Sequence, residues 1–99
     1  MHPDLILAFL RTARGHGLNL TQLLTMTALR ANGPMNMTAI GRITRLSTAA
    51  MTCAADSLET SGLAMRQPTA DRRMINLALT DAGHDAISII LSALEPIPA

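Results

Sequence analysis

The sequence predicts a mainly α-helical fold carrying one small β-hairpin, and three observations predict it. Met51, Ala54, Ala55 and Leu58 follow the i, i+3, i+4, i+7 spacing of a helix with one buried face. "LAMRQ" at 63–67 and "MINLAL" at 74–79 alternate apolar and polar residues around the charged turn "PTADRR", as hairpin strands do. The breakers "GHG" at 15–17, "NGP" at 32–34 and Gly62 divide the remainder into helix-sized pieces.

Taken in order, residues 4–14, "DLILAFLRTAR", read as a helix with an acidic start and a basic end, both favoured by the helix dipole. Residues 21–31 read as a second helix, with Leu20, Leu24 and Thr27 on one side and Leu23 and Ala28 beside them. "MNM" at 35–37 is short enough for a minimal strand. Thr38 is expected to cap a third helix running to about Arg45, with Ile40 and Ile43 turned inward. Gly41 inside that helix costs about 1 kcal/mol relative to Ala, which makes sense if another helix crosses closely there. Ser47 caps the fourth helix, whose outer face carries Ala49, Thr52, Cys53 and Asp56. Thr80 caps a last helix to about Leu94, ended by "EPIPA". Nothing in the chain reads as a repeat, a low-complexity tract or a linker, so residues 1–99 read as one domain.

Composition narrows the function classes. With 48% hydrophobic residues and 15% charged ones, the chain has more apolar material than a small core needs, so part of it is expected to be buried against a second copy. Phe9 is the single aromatic residue, which argues against stacking platforms for single-stranded nucleic acid or flat cofactors. The net charge of +1 hides an uneven distribution. Arg30, Arg42, Arg45, Arg66, Arg72 and Arg73 outnumber Asp56, Glu59 and Asp71 in the middle of the chain, whereas the remaining residues taken together are net acidic. Every basic side chain is Arg, which suits bidentate contact with phosphate.

Other chemistry finds no foothold. One cysteine, Cys53, forms no internal disulfide and fits a reducing compartment. Cys53 reads as an ordinary thiol, because a redox sensor needs an acidified sulfur and no basic residue lies within one helical turn. His2, His16 and His84 show no metal-ligating spacing among themselves or with Cys53. No nucleophile–base pair and no glycine-rich phosphate loop occurs, so neither an enzyme nor a cofactor is expected. The N-terminus lacks the pattern of a signal peptide, and "LILAFL" at 5–10 is too short to cross a bilayer. The expectation is a cytoplasmic protein without a membrane partner.

Two short helices joined by a brief turn and followed by a two-stranded hairpin make a winged helix-turn-helix, with the helix pair at 38–60 and the wing at 63–79. The second helix of such a pair enters the DNA major groove with its first turns at the base edges, which requires small or polar residues there. Ser47, Thr48, Ala49, Thr52 and Cys53 meet that requirement. Methyl groups of Ala and Thr suit the thymine methyl, and the Thr hydroxyl bonds either kind of base edge. Asp71, Arg72 and Arg73 lie in the wing turn, where a narrow minor groove would attract arginine. Thr38, Arg42 and Arg45 are expected at the DNA backbone.

Residues 46–83 resemble the core of MarR-type transcriptional regulators. The run Asp71-x-Arg73-x-x-x-Leu77-x-Leu79-Thr80-x-x-Gly83 matches that family's wing signature, and Leu58-Glu59-x-x-Gly62-Leu63 matches its helix-to-wing junction. The resemblance extends weakly back to about Leu20. It implies that Arg73 approaches DNA, that Asp71 braces it or the hairpin, and that Arg72 touches phosphate. It also implies a two-fold dimer on a palindromic double-stranded site, acting as a repressor. Relatives of that type generally have longer terminal helices, which build the dimer and frame a pocket for small phenolic or lipophilic effectors. Both ends are shorter here, so an effector is left open. Cys53 stands where many relatives carry a basic residue, which implies weaker phosphate contact from this helix or a different base preference.

The terminal helices, 4–15 and 81–94, carry the dimer expectation. Leu5, Ile6 and Phe9 in the first, with Ile87, Ile90, Leu91 and Leu94 in the last, are expected to pair across a two-fold axis. The competing arrangement has the two helices covering each other within one chain. Two other functions use the same fold: a protein-interaction module docking through its apolar helices, and a centromere-binding factor for plasmid or phage partition.

Overall fold

The computed structural model describes residues 2–71 and 73–95. In chain order the elements are α1 (Pro3–Gly15), α2 (Leu20–Asn32), β1 (Met35–Asn36), α3 (Met37–Thr44), α4 (Thr48–Thr60), β2 (Ala64–Pro68), β3 (Ile75–Leu79) and α5 (Asp81–Ser92). The strands form one antiparallel sheet in the order β1-β3-β2, with Met35 opposite Leu77 and Arg66 opposite Leu77 on its other edge. This is a winged helix-turn-helix: a mainly helical body with a small sheet whose outer hairpin forms the wing. No helix among the described residues is long and apolar enough to cross a membrane.

Local chemistry explains most boundaries. Pro3 sits at the start of α1, where its missing N–H is not needed, and Asp4 and Arg14 complement the helix dipole. Asn19 and Gln22 cap α2 reciprocally, each side-chain oxygen accepting from the other's backbone N–H at 2.9 and 2.8 Å. The carboxamide of Gln22 also donates to Ser57 Oγ at 2.8 Å, tying α2 to α4. Helix α4 starts where Ser47 Oγ accepts from the Ala50 N–H at 3.1 Å. It ends as Gly62 turns left-handed at φ 75° and Leu63 donates back to the Leu58 carbonyl at 2.9 Å.

Helix α3 ends at Thr44 with Arg45 as its C-terminal cap, as expected, but departs from expectation at its start and in the burial of its last turn. Its N-terminal cap is Asn36, whose side-chain oxygen accepts from the Ala39 N–H at 2.8 Å, and Thr38 lies in the first turn instead of at the cap. Asn36 therefore serves as both the last strand residue and the helix cap. Ile40 is fully buried, but Ile43 is 54% exposed and lines a shallow depression beside Leu24, Thr27 and Ala31 of α2. On α2 the buried face is Leu23, Met26, Ala28 and Leu29, while Leu20 and Leu24 lie outward.

One core joins the helices and the sheet. Met26, Leu29, Ile40, Leu58, Leu77, Ile87 and Ile90 are sealed from solvent within it, each side chain contributing about 1.5–3 kcal/mol by burial. Phe9, Leu63, Leu79 and Leu91 pack against its margin. The two buried polar residues of α2 are satisfied: Gln22 as above, and Thr25 through its hydroxyl donating to the Thr21 carbonyl at 3.0 Å.

Two glycines differ in what they permit. A Cβ at Gly41 would meet the Met51 thioether at 3.4 Å, an ordinary contact with a flexible side chain. The expected close helix crossing at Gly41 is thus only a side-chain contact. A Cβ at Gly83 would instead collide with the Leu63 carbonyl oxygen and lie 3.0 Å from its carbon, both backbone. Gly83→Ala is therefore expected to destabilise the fold by about 1–3 kcal/mol, through the overpacking of a rigid site. The melting temperature of a domain this size should fall by roughly 10 °C, whereas Gly41→Ala should leave it unchanged or raise it. Thermal denaturation of the two variants checks both outcomes.

Candidate nucleic-acid interface

Helix α4 buries Met51, Ala54, Ala55 and Leu58 against the core. That orientation leaves Ser47, Thr48, Ala49, Thr52 and Cys53 exposed along the other side. All five are small, so the face can approach a groove floor closely. Helix α3 packs against α4, and Thr38, Arg42 and Arg45 belong to it and to its end. Arg45 forms the turn between the two helices and is the one non-glycine residue with positive φ (62°) among those described. A left-handed Arg costs about 1 kcal/mol, so the turn is held by its surroundings.

The wing turn is built around Asp71. Its carboxylate accepts from the Arg73 backbone N–H at 3.0 Å and from the Arg73 Nε at 3.4 Å. Its backbone carbonyl accepts from the Met74 N–H at 2.9 Å. The Thr69 hydroxyl spans the turn, 2.7 Å from the Asp71 carbonyl and 2.9 Å from the Met74 carbonyl. The turn is fixed while the Arg73 side chain stays 92% exposed. Thr38 and Arg73, far apart in sequence, line one shallow depression of about 250 Å³ with Asn36 and Met74. Arg72 lies outside the described residues.

The MarR family profile matches residues 18–75, more than half of the chain. The chain belongs to the MarR family. It is 31% identical over 91 residues to the HTH-type transcriptional repressor MdtR of Bacillus subtilis (strain 168), spanning 91% of this chain and 59% of MdtR. The crystal structure of YusO from Bacillus subtilis superposes with a TM-score of 0.81 at 27% identity, covering 91% of this chain and 64% of YusO. The structure of reduced AbfR bound to DNA matches with a TM-score of 0.77 at 26% identity, over 88% of this chain and 64% of AbfR. AbfR is a protein of Staphylococcus epidermidis. The chain thus spans about three fifths of the length of these relatives.

Within this MarR-family chain, the stretch from α2 to the start of β3 holds every residue described above at the helix pair and the wing turn. The terminal helices behave less simply. Helices α1 and α5 pack on each other within one chain, and α5 also packs on α2. Ile87 and Ile90 are consequently core residues with no exposed surface, and they are removed from the expected dimer face. Leu5, Phe9, Leu91 and Leu94 are half-buried in the same chain. What stays open is Ile6 (42% exposed) together with Leu7, Leu10 and Ile89.

Two features of the interface escape a reading of the sequence. The first is Arg66 on β2, whose guanidinium bridges two acids of α4: Nη2 lies 2.9 Å from Asp56 Oδ1, and Nη1 contacts Glu59 Oε1. The signal is present in principle. Arg66 is two residues beyond the buried Ala64 and so shares the face of the strand that α4 covers, while Asp56 and Glu59 are one helical turn apart. The second is the left-handed Arg45, which no composition rule would place there.

Loss of the α4 cap gives a direct test of how this helix is held. Ser47→Ala should lower stability by about 1 kcal/mol, and Ser47→Gly by only a few tenths, since Gly tolerates the cap backbone. Chemical denaturation of both variants reads the difference.

Proposed function

We propose that this protein is a sequence-specific double-stranded DNA-binding transcriptional regulator, a dimeric repressor of the MarR type acting on a palindromic site. The observation that carries the proposal is the pairing of two exposed elements. The first turns of α4 present only small side chains, and the adjacent wing presents Arg73 from a turn that Asp71 holds in place. Membership of the MarR family supports it, as do a relative named a transcriptional repressor and another whose structure holds DNA.

In this reading α4 inserts into the major groove with Ser47, Thr48, Ala49, Thr52 and Cys53 near the base edges. Arg73 enters the flanking minor groove, Arg72 meets phosphate, and Thr38, Arg42 and Arg45 position the backbone. Two copies would place their α4 helices in successive major grooves about 34 Å apart and block a promoter by occupying it. Thirteen-residue α1 has a single buried residue, Ala13, although its sequence is strongly apolar. A second copy covering Ile6, Leu7, Leu10 and Ile89 would remove that surface from water. The regulator works in the cytoplasm and catalyses no reaction.

The same exposed apolar surface favours one other reading, a winged helix that docks a different protein. Absence of DNA binding at low salt would leave that reading standing. A partition factor would instead coat repeated sites cooperatively.

Two outcomes follow for the proposed regulator. Arg73→Ala should weaken binding to a selected duplex and lower the slope of log K against log salt by about one if a phosphate contact is lost. Its thermal stability should be unchanged, because the side chain is almost wholly exposed. Unchanged affinity and slope in a fluorescence-anisotropy titration would refute the role of Arg73. Sedimentation at micromolar concentration should find a dimer, and Ile6→Glu with Ile89→Glu should give a monomer; a wild-type monomer would refute the dimer.

A further inference from the structure

Helix α4 is acidic. Between Thr48 and Thr60 it carries Asp56 and Glu59 and no basic residue. Asp56 is exposed and lies on the same outward stripe as Thr52 and Cys53, with its side chain 63% accessible. A helix that enters a groove walled by phosphates would meet repulsion from both carboxylates, which lie in its last two turns. At physiological salt such repulsion is screened over roughly 8 Å, so it acts on any carboxylate that comes that near a phosphate.

Arg66 stands against both of them. It projects from the helix-facing side of β2, its two terminal nitrogens divided between Asp56 and Glu59, and only 35% of the side chain remains accessible. Both nitrogens are therefore already engaged, and the planar fork is not free to take a guanine edge or a phosphate bidentately. An ion-pair network this exposed contributes little to stability, about 0–1 kcal/mol per pair. Its larger consequence is electrostatic. One arginine halves the negative charge at the end of α4 and fixes the base of the wing to the helix it flanks.

We propose that Arg66 is a positioning residue for DNA binding, acting as a charge mask over Asp56 and Glu59 rather than as a DNA contact. The proposal rests on the DNA-binding reading above. It gives the arginines different roles, since Arg73 faces outward from the wing tip whereas Arg66 is turned inward onto the helix.

The test compares three variants on a duplex selected by the unaltered protein. Arg66→Ala should lower affinity by about tenfold, with a melting temperature within a few degrees of wild type. The deficit should shrink as salt is raised, because screening weakens the exposed repulsion. Adding Asp56→Asn and Glu59→Gln to Arg66→Ala should restore affinity to within about threefold of wild type, since the acids that needed masking are gone. A triple variant as weak as Arg66→Ala would overturn the mask and make Arg66 a direct DNA contact. Unchanged binding by Arg66→Ala would overturn it equally. If Arg66→Ala does not fold, Asp56→Asn with Glu59→Gln and Arg66 retained decides: equal or tighter binding supports the mask, and weaker binding overturns it. Failure of the unaltered protein to bind any duplex would instead sink the DNA-binding reading, and the mask with it.

Discussion

The wing's attachment to the helices depends on one crowded junction. The Thr80 hydroxyl donates to the Gly62 carbonyl at 2.6 Å, and its N–H donates to the Leu63 carbonyl at 3.1 Å. The same hydroxyl oxygen accepts from the Gly83 N–H at 3.1 Å, capping α5. Gly83 packs against Leu63 so closely that no side chain fits between them. The end of α4, the first residue of the wing, the last strand and the start of α5 are thereby held at one point. Glycine at 62 for a left-handed turn, threonine at 80 for a double-sided hydroxyl and glycine at 83 for contact are three requirements of a single packing event.

From that junction follows the layout of charge. The wing can hold its tip at a defined place relative to α4 only if its base is rigid, and the arginines that matter lie on either side of α4 rather than on it. Arg42 and Arg45 come from α3 and its end, Arg73 from the wing, and Arg66 from the strand between. The helix itself is left smooth at its first turns and acidic at its last. In the proposed function this division would let α4 approach base edges closely while neighbouring elements supply the attraction to phosphate, with Arg66 limiting what the helix's own acids would undo.

Much of this is legible in the residues. Spacing alone identifies the buried face of α4, and residue type identifies the Ser47 and Thr80 caps and the hairpin around Asp71. What the sequence withholds has physical causes. Asn36 is hard to recognise as a cap because it also closes a strand, and the two roles meet in one residue. Ile43 reads as buried because periodicity gives direction around an axis but not how closely the facing helix packs, and α2 leaves a shallow depression over it. Ile87 and Ile90 read as a dimer face because an apolar stripe looks the same whether its partner is α2 of the same chain or a second molecule. The Arg66 bridge is a contact between elements, and pairing across elements needs the docking angle that only packing supplies.

In the proposed function, two copies of this winged helix read DNA together. Selection of bound duplexes from a random pool, followed by sequencing, tests it most directly. A two-fold pair of α4 helices should enrich an inverted repeat whose half-sites are centred about 10 base pairs apart, the spacing of successive major grooves on one face of the duplex. A pool that remains random after repeated rounds at low salt would contradict it.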